Sequence, residues 1–280
     1  SIFSKDELNF INIHVGLVIK DKEHLKDCIF EACDDAYYFS QDITFWDTTN
    51  VKDMSEVFEN ENSFNEILLW NVSNVTNMYA MFFECKSFNK PLNNWIVNSV
   101  ENMSEMFGYC EPFNQPLNRW NVSNVENMSA MFARCNIFNQ SLNTWDVSKV
   151  ENMSEMFSNC EQFNKSLNNW DVSNVQDMTY MFYKCKSFNQ PLDNWNVSSV
   201  TSMEAMFRDC INFNQPLDNW NVCNVENMEC IFTCCTKFNQ PLNNWNVNNV
   251  LKKLYDTNFF SNISISLNEN INNLTSGIVF

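Results

Sequence analysis

Residues 120–145, WNVSNVENMSAMFARCNIFNQSLNTW, contain the unit from which most of this chain is built. Tryptophan recurs at positions 46, 70, 95, 120, 145, 170, 195, 220 and 245, so the first interval is 24 residues and every later one is 25. The short interval lies between Asn65 and Trp70, where the usual Pro-Leu-Asn-Asn gives way to Ile-Leu-Leu. Periods of this length indicate a solenoid in which each repeat forms one coil.

The two halves of the unit carry different patterns. The first half has an apolar stripe with the spacing of a short helix, formed by Val125, Met128, Phe132 and Cys135. The second half, residues 142–147, places Trp145 and Val147 two residues apart, as a short strand would. Because neither half can bury its apolar face alone, consecutive coils must stack. The sequence therefore predicts a leucine-rich-repeat-like α/β solenoid, with one short strand and one short helical segment per coil and a parallel sheet along the stack.

The repeat divides the chain into three regions. We predict an N-terminal capping region at 1–42, the solenoid at 43–250, and a C-terminal cap or tail at 251–280. The capping region is expected to contain a helix at about 21–35 with one apolar face, formed by Leu25, Cys28, Ile29, Ala32 and Cys33. Such a helix would cover the hydrophobic rung that the first coil exposes.

Composition argues against several functions. The chain has 34 acidic and 17 basic side chains, for a net charge of −17, and such a surface repels nucleic acid. Glycine occurs only at 16, 108 and 277, which cannot form a phosphate-binding loop. The two histidines, His14 and His24, both precede the repeats. No apolar run is long enough to span a membrane, and no signal peptide is visible. We therefore predict no enzymatic activity, no metal and no cofactor.

Cysteine recurs at one position of the unit, at 85, 110, 135, 160, 185, 210 and 235. The favoured interpretation is a small apolar residue that fits a tight turn. A stack of disulfides or a metal array is the alternative. Four cysteines, one of them from this column, crowd one coil and could hold zinc or a disulfide, namely Cys223, Cys230, Cys234 and Cys235.

Asparagine makes up 49 of the 280 residues and forms two columns, a column being the equivalent position in successive coils. The asparagine after phenylalanine is invariant between residues 65 and 239, and we assign it a structural role at a turn. The second column is a polar stripe that could bind protein or carbohydrate, although simple solvation is the favoured interpretation. It consists of Asn93, Asn118, Asn143, Asn168, Asp193, Asp218 and Asn243. Glutamate pairs such as Glu101 and Glu105 could suggest glycoside hydrolysis, but they recur on a face that should be solvated.

The recurring unit, FNQPLNNWNVSNVENMSAMF, resembles the BspA-type leucine-rich repeats of bacterial surface proteins. It is most similar to the variant first catalogued in mycoplasmas as a repeat of unknown function, and similar runs occur in protists and giant viruses. The resemblance covers about three quarters of the chain, from Ile43 to Val250. It implies a solenoid used for protein contacts or adhesion, at a cell surface or on a virus particle, without enzymatic activity.

The positions that vary between coils are the best candidates for reading a partner. They flank the cysteine column, and the candidates are Phe83, Glu84, Tyr109, Arg134, Asn159, Tyr183, Lys184, Arg208 and Asp209. The sequence thus favours a non-enzymatic scaffold for an unidentified protein partner. The alternatives are a purely structural coat or spacer component that self-associates, and a solenoid that binds or processes polysaccharide.

Overall fold

The computed structural model describes residues 17–34, 38–39 and 42–250. Within 42–250 the repeats stack as coils, and parallel single-residue β-bridges join neighbouring coils. The bridged residues are, in order, Asp53, Asn77, Asn102, Asn127, Asn152, Asp177, Ser202 and Asn227. The predicted stacking of the repeats into a solenoid is therefore confirmed. The predicted C-terminal cap at 251–280 lies outside the described residues, as do residues 1–16 of the predicted N-terminal region.

The core is a continuous stack of aromatic rings. Phe132 lies on Phe107 with their ring centroids 5.7 Å apart, and Trp145 lies on Trp170 at 6.5 Å with the two planes 1° apart. The indole N–H of Trp145 donates a hydrogen bond of 3.1 Å to the backbone carbonyl of Leu117 in the preceding coil. Each buried tryptophan of this kind thereby satisfies its one polar group while its rings supply apolar area.

The helical segment predicted for each coil is wrong. The backbone N–H groups of Ala130 and Arg134 donate to the carbonyls of Ser154 and Ser158 in the next coil, each at 2.7 Å, whereas the N–H of Ala133 closes a tight turn onto Ala130 at 3.0 Å. Ala130 and Arg134 have φ angles of 52° and 62°, which an α-helix does not admit. A run of β-turns brings the chain inward every three to four residues, so it buries the same apolar stripe as a helix would.

The strand predicted at 142–147 is also wrong, because this segment turns. The N–H of Trp145 donates to the carbonyl of Leu142 at 3.0 Å, which closes a turn in place of an extended strand. The expected parallel sheet is replaced by the single-residue bridges, such as Asn127 to Asn152. Alternate backbone N–H groups around these bridges bond to the neighbouring coil, and so the stack is held by backbone hydrogen bonds without continuous strands.

A helix, α1, spans Lys22–Ala32 and begins with Asp21, whose Oδ1 accepts a hydrogen bond of 2.9 Å from the N–H of His24. Its buried side chains are Leu25, Ile29 and Ala32. The helix ends before the predicted limit near residue 35, because a short strand β1, Cys33–Asp34, pairs in antiparallel fashion with β2, Tyr38–Phe39.

Helix α1 lies against the first described coil. Lys22 Nζ is 2.5 Å from Ser55 Oγ and 3.6 Å from an oxygen of Asp53, and Lys26 Nζ is 3.7 Å from an oxygen of Glu56. The apolar side of the helix joins the same hydrophobic core as the coils. That this region caps the exposed end of the solenoid stays a prediction.

Candidate binding face

The turns described above create one outward surface, the turn face. It comprises four positions of each coil, represented by Ser129, Ala130, Ala133 and Arg134, together with their equivalents between residues 55 and 234. All four tyrosines between residues 42 and 250 lie on it, and so do two of the three arginines of the chain. These residues are Tyr79, Tyr109, Tyr180, Tyr183, Arg134 and Arg208.

The backbone holds the turn face rigidly. The second and fourth positions have positive φ in every coil, as at Glu105 (57°), Tyr109 (61°) and Lys184 (58°). Adjacent N–H groups bond to the next coil, as Tyr109 does to the carbonyl of Ala133 at 2.6 Å. Side chains on this face therefore project from a backbone whose conformation does not depend on which residue occupies the position.

The first group of candidate residues lies at the N-terminal end of this face. The ring of Phe83 contacts that of Tyr109 at 5.2 Å between centroids, and the guanidinium of Arg134 stacks on Tyr109 at 4.9 Å. Gly108 permits this arrangement, since a Cβ at that position would lie 2.9 Å from a ring carbon of Phe83. Glu84 forms an ion pair of 3.3 Å with Lys86.

The second group lies towards the C-terminal end and centres on Tyr183. Lys184 Nζ is 5.0 Å and the Arg208 guanidinium 5.8 Å from the centre of its ring. Tyr180 meets Tyr183 edge-on at 5.4 Å. Among the described residues Arg208 Nε makes no hydrogen bond, and it lies 3.8 Å from Asp209 Oδ2.

An open groove of about 190 Å³ separates the two groups. Its floor is formed by Ala133 and Ser158, which are buried, and by Asn159, whose side chain donates to Ser158 Oγ at 3.0 Å. Tyr109 and Arg134 line one end, and Tyr180 and Tyr183 line the other, with Glu155 at the side. The structure thus places four of the nine candidate residues around one groove and the remaining five beside it.

Sequence reasoning missed three residues of this face. Tyr79, Tyr180 and Glu204 occupy its first two positions, which the sequence pattern assigns to a helix. Tyr180 donates a hydrogen bond of 2.9 Å to Glu204, and burial, followed by this bond and the carboxylate charge, raises the pKa of Tyr180 to about 12. The signal was present in the sequence, because the column of Ala130 varies among glutamate, alanine, tyrosine and cysteine.

The two asparagine columns behave differently. The asparagine after phenylalanine is structural, as predicted: Asn114 Oδ1 accepts a bond of 2.9 Å from the backbone N–H of Asn139 and one of 3.1 Å from the Gln140 side chain. The polar stripe is more exposed and bonds along its own column, as Asn93 does to Asn118 at 3.2 Å. A shallow depression of about 350 Å³ lies on the stripe beside Trp170.

The cysteine column consists of buried free thiols. Each thiol donates to a phenylalanine carbonyl of the preceding coil, as Cys135 does to Phe107 at 3.0 Å. Burial raises the pKa of Cys135, Cys160, Cys185 and Cys210 well above the usual range, so these thiols are protonated. The residue therefore fits a tight turn, as favoured, and also satisfies a buried carbonyl.

Cys223, Cys230 and Cys234 are likewise free. Among the described residues no three His, Cys, Asp or Glu side chains are grouped so that they could hold a metal ion. No helix in the described part of the chain is long and apolar enough to cross a membrane. Of the paired glutamates, Glu101 is exposed outside the turn face and Glu105 is half-buried on it.

Comparison with known proteins places the repeats in a family. The model of a family described as "Mycoplasma protein of unknown function, DUF285" matches residues 27–136, 98–188 and 159–274. Together these matches cover most of the chain. No curated protein matches it.

Solved structures give only weak similarities. An internalin, InlF, from Listeria monocytogenes is 7% identical, with 83% of this chain and 75% of that one covered and a TM-score of 0.26. A leucine-rich repeat protein from Bacteroides ovatus is 15% identical over 74% and 79% of the two chains, with a TM-score of 0.20. The plant peptide hormone receptor RGFR1, in complex with RGF2, is 11% identical over 66% and 41%, with a TM-score of 0.21. Superpositions this weak carry no argument about partners.

Proposed function

Since the chain belongs to the mycoplasma repeat family of unknown function DUF285, we propose that it is a non-enzymatic, BspA-like repeat scaffold that binds a protein partner through its turn face. The proposal includes adhesion or recognition at the surface of a cell or virus particle. The proposed contacts are Phe83, Glu84, Tyr109, Arg134, Asn159, Tyr183, Lys184, Arg208 and Asp209.

The observation that carries the proposal is the segregation of tyrosine and arginine. Every tyrosine between residues 42 and 250 lies on the turn face, whereas the other exposed columns are mainly asparagine, serine, aspartate and glutamate. Tyrosine and arginine are enriched in the energetically important residues of protein interfaces, because they bury large areas and also hydrogen-bond. Core packing does not require them here, since phenylalanine, methionine and tryptophan already fill the core.

A pull-down from cell extracts tests the proposal. In the test variant Phe83, Tyr109, Arg134, Tyr183 and Arg208 are replaced by serine. The matched control places serine at five positions of the polar stripe, at Asn93, Asn118, Asn143, Asp193 and Asn243. We expect the wild type and the control to retain the same partner and the test variant to lose it. Undiminished capture by a folded test variant would contradict the proposal.

Two alternative functions predict different outcomes in pull-downs of this kind. A purely structural coat or spacer component would self-associate, with no second protein recovered and no effect of the turn-face substitutions. Retention of glycans by the wild type, lost when Asn168 and Asn194 are replaced by serine, would favour carbohydrate binding at the depression beside Trp170.

A further inference from the structure

We propose that the groove on the turn face receives a basic segment of the partner protein, with a lysine or arginine side chain held between Glu105 and Glu155. This inference rests on the proposed function and specifies the chemistry of the partner. It follows from the shape of the groove, from two glutamates at and beside it that form no ion pair, and from the charge of the whole chain.

The two glutamates flank a gap. Glu105, Ala130 and Glu155 occupy the same position in three successive coils, so the backbones of the two glutamates lie two coil steps apart with the methyl group of Ala130 between them. Glu155 lines the groove, and Glu105 lies just outside its lining. One coil step is 5.7 Å between the stacked rings of Phe107 and Phe132. The short side chain of Ala130 leaves room for a cation that could approach both carboxylates.

These carboxylates lack a cation of their own. Within the described residues Glu59, Glu105 and Glu155 take part in no ion pair, whereas Glu56, Glu84 and Glu161 each have a lysine partner. Burial is the main cause that raises the pKa of Glu105; a hydrogen bond from the Tyr79 side chain lowers it, and the charges of Glu155 and Glu59 raise it further. A bound cation would relieve this mutual repulsion.

The basic residues of the face are engaged with tyrosine rings at the ends of the groove. Arg134 stacks on Tyr109, and Lys184 and Arg208 lie over Tyr183. Their charges are thus held against the aromatic ends of the groove. The hydrocarbon stem of an incoming lysine or arginine would lie along the groove between these two ends, with its charged head at the carboxylates.

The charge of the chain favours the same kind of partner. With a net charge of −17, the protein attracts basic segments over a distance and repels acidic ones. General attraction of this kind does not distinguish one face from another. The experiment must therefore separate the groove from the overall charge.

The test uses the full chain and a fluorescein-labelled peptide of alternating lysine and serine, with a glutamate–serine peptide for comparison. Affinity is measured by fluorescence anisotropy for wild type, for E105Q/E155Q, and for the control E101Q/E151Q. The control removes the same charge, at the same two-coil spacing, from exposed glutamates outside the turn face. We expect saturable binding of the lysine peptide, weakened about three- to tenfold by E105Q/E155Q and less than about twofold by E101Q/E151Q.

Equal weakening by both variants would show non-specific attraction and overturn the inference, as would the absence of saturable binding. Binding of a neutral oligosaccharide at the groove, without the lysine peptide, would overturn it in favour of a glycan. Capture of the natural partner by the two sets of variants distinguishes this inference from the proposed function. If its capture depends on Tyr109 and Tyr183 but not on Glu105 and Glu155, this inference fails and the proposed function stands.

Discussion

The invariant asparagine shows how a single residue holds neighbouring coils together. Asn114 Oδ1 accepts hydrogen bonds from the backbone N–H of Asn139 and the side chain of Gln140. Its backbone carbonyl accepts a second bond, of 2.9 Å, from the same Gln140 amide. A side chain that satisfies a backbone group in the next coil cannot vary without leaving that group unpaired.

We therefore expect Asn114→Ala to lower the free energy of unfolding by about 1–3 kcal/mol, because it leaves the N–H of Asn139 without its acceptor. Urea unfolding followed by tryptophan fluorescence measures the change. Asn118→Ala in the same coil is the control, since Asn118 is exposed, and its cost should stay within about 0.5 kcal/mol. Equal costs for the two variants would mean that the amide column is not structural.

Protonation of the buried cysteines predicts their reactivity. The thiolate is the reactive form, and burial raises the pKa of Cys135, Cys160, Cys185 and Cys210. During iodoacetamide treatment at pH 8 we expect these four to remain unmodified in the folded protein while exposed Cys234 is alkylated. Peptide mapping by mass spectrometry measures both, and alkylation of Cys160 as fast as Cys234 would contradict the prediction.

The same pKa shift gives a pH dependence. In the unfolded chain these thiols ionise near pH 8.5, whereas in the folded chain they remain protonated to higher pH. The folded state therefore binds more protons above about pH 8.5, and the free energy of unfolding should fall as the pH rises further. The urea midpoint should consequently decrease between pH 8 and pH 9.5.

At the scale of the element, the β-turn segment explains where sequence reasoning succeeded and where it failed. Met128, Met131, Phe132 and Cys135 are all buried, as their spacing predicts. The spacing does not distinguish a helix from consecutive turns, because both bring the chain inward every three to four residues. Only the positive φ of Ala130 and Arg134 separates the two, and neither residue type signals that conformation.

The sequence predicted most residues of the candidate site but not how they contact one another. Variation between coils identified Tyr109 and Arg134 as candidate contacts for a partner. Their stacking, however, joins residues 25 apart and depends on the height of one coil. Tyr180 was overlooked because the side chains of its column would point in a different direction if the segment were a helix. Periodicity fixes which residues are buried, whereas contacts across coils require the backbone geometry.

The turn geometry predicts opposite effects for two alanines of one segment. Ala130 has a φ of 52°, where glycine avoids a steric cost that an L-residue pays. Ala130→Gly should therefore raise the free energy of unfolding by about 0.5–1 kcal/mol, after allowing for the greater flexibility of unfolded glycine. Thermal and urea unfolding of the purified variant measure the change.

The matched control is Ala133→Gly, three residues away. Ala133 is buried and does not have a positive φ, so glycine there removes a packed methyl group and adds unfolded-state entropy. We expect a loss of about 1–2 kcal/mol. A loss of stability in both variants would show that the left-handed conformation of residue 130 carries no strain.

At the scale of the whole molecule, the stack behaves as a one-dimensional array. Each coil bonds to its two neighbours, and the aromatic columns continue with nearly constant spacing from Phe58 to Phe232. Stability should then be approximately a sum over coils and the interfaces between them. What matters for such an array is the register of the repeat, and the number of coils is of secondary importance.

Register can be tested by deletion. Removing residues 146–170 takes out one complete 25-residue repeat and joins Trp145 to Asp171, so every column remains aligned. We expect a folded protein with tryptophan fluorescence like that of the wild type and a cooperative urea transition of slightly smaller m-value, since less surface is exposed on unfolding. Removing residues 146–165 is the control. It takes out fewer residues but shifts every later column by five positions, which should abolish cooperative unfolding.

The same deletion separates folding from recognition. It removes Glu155, Ser158 and Asn159, which form much of the groove, and leaves Tyr109, Arg134 and Tyr183 on adjoining coils. The shortened protein should remain folded yet lose the saturable affinity for the lysine–serine peptide. A variant that folds and binds the peptide as the wild type does would place the binding site elsewhere on the stack.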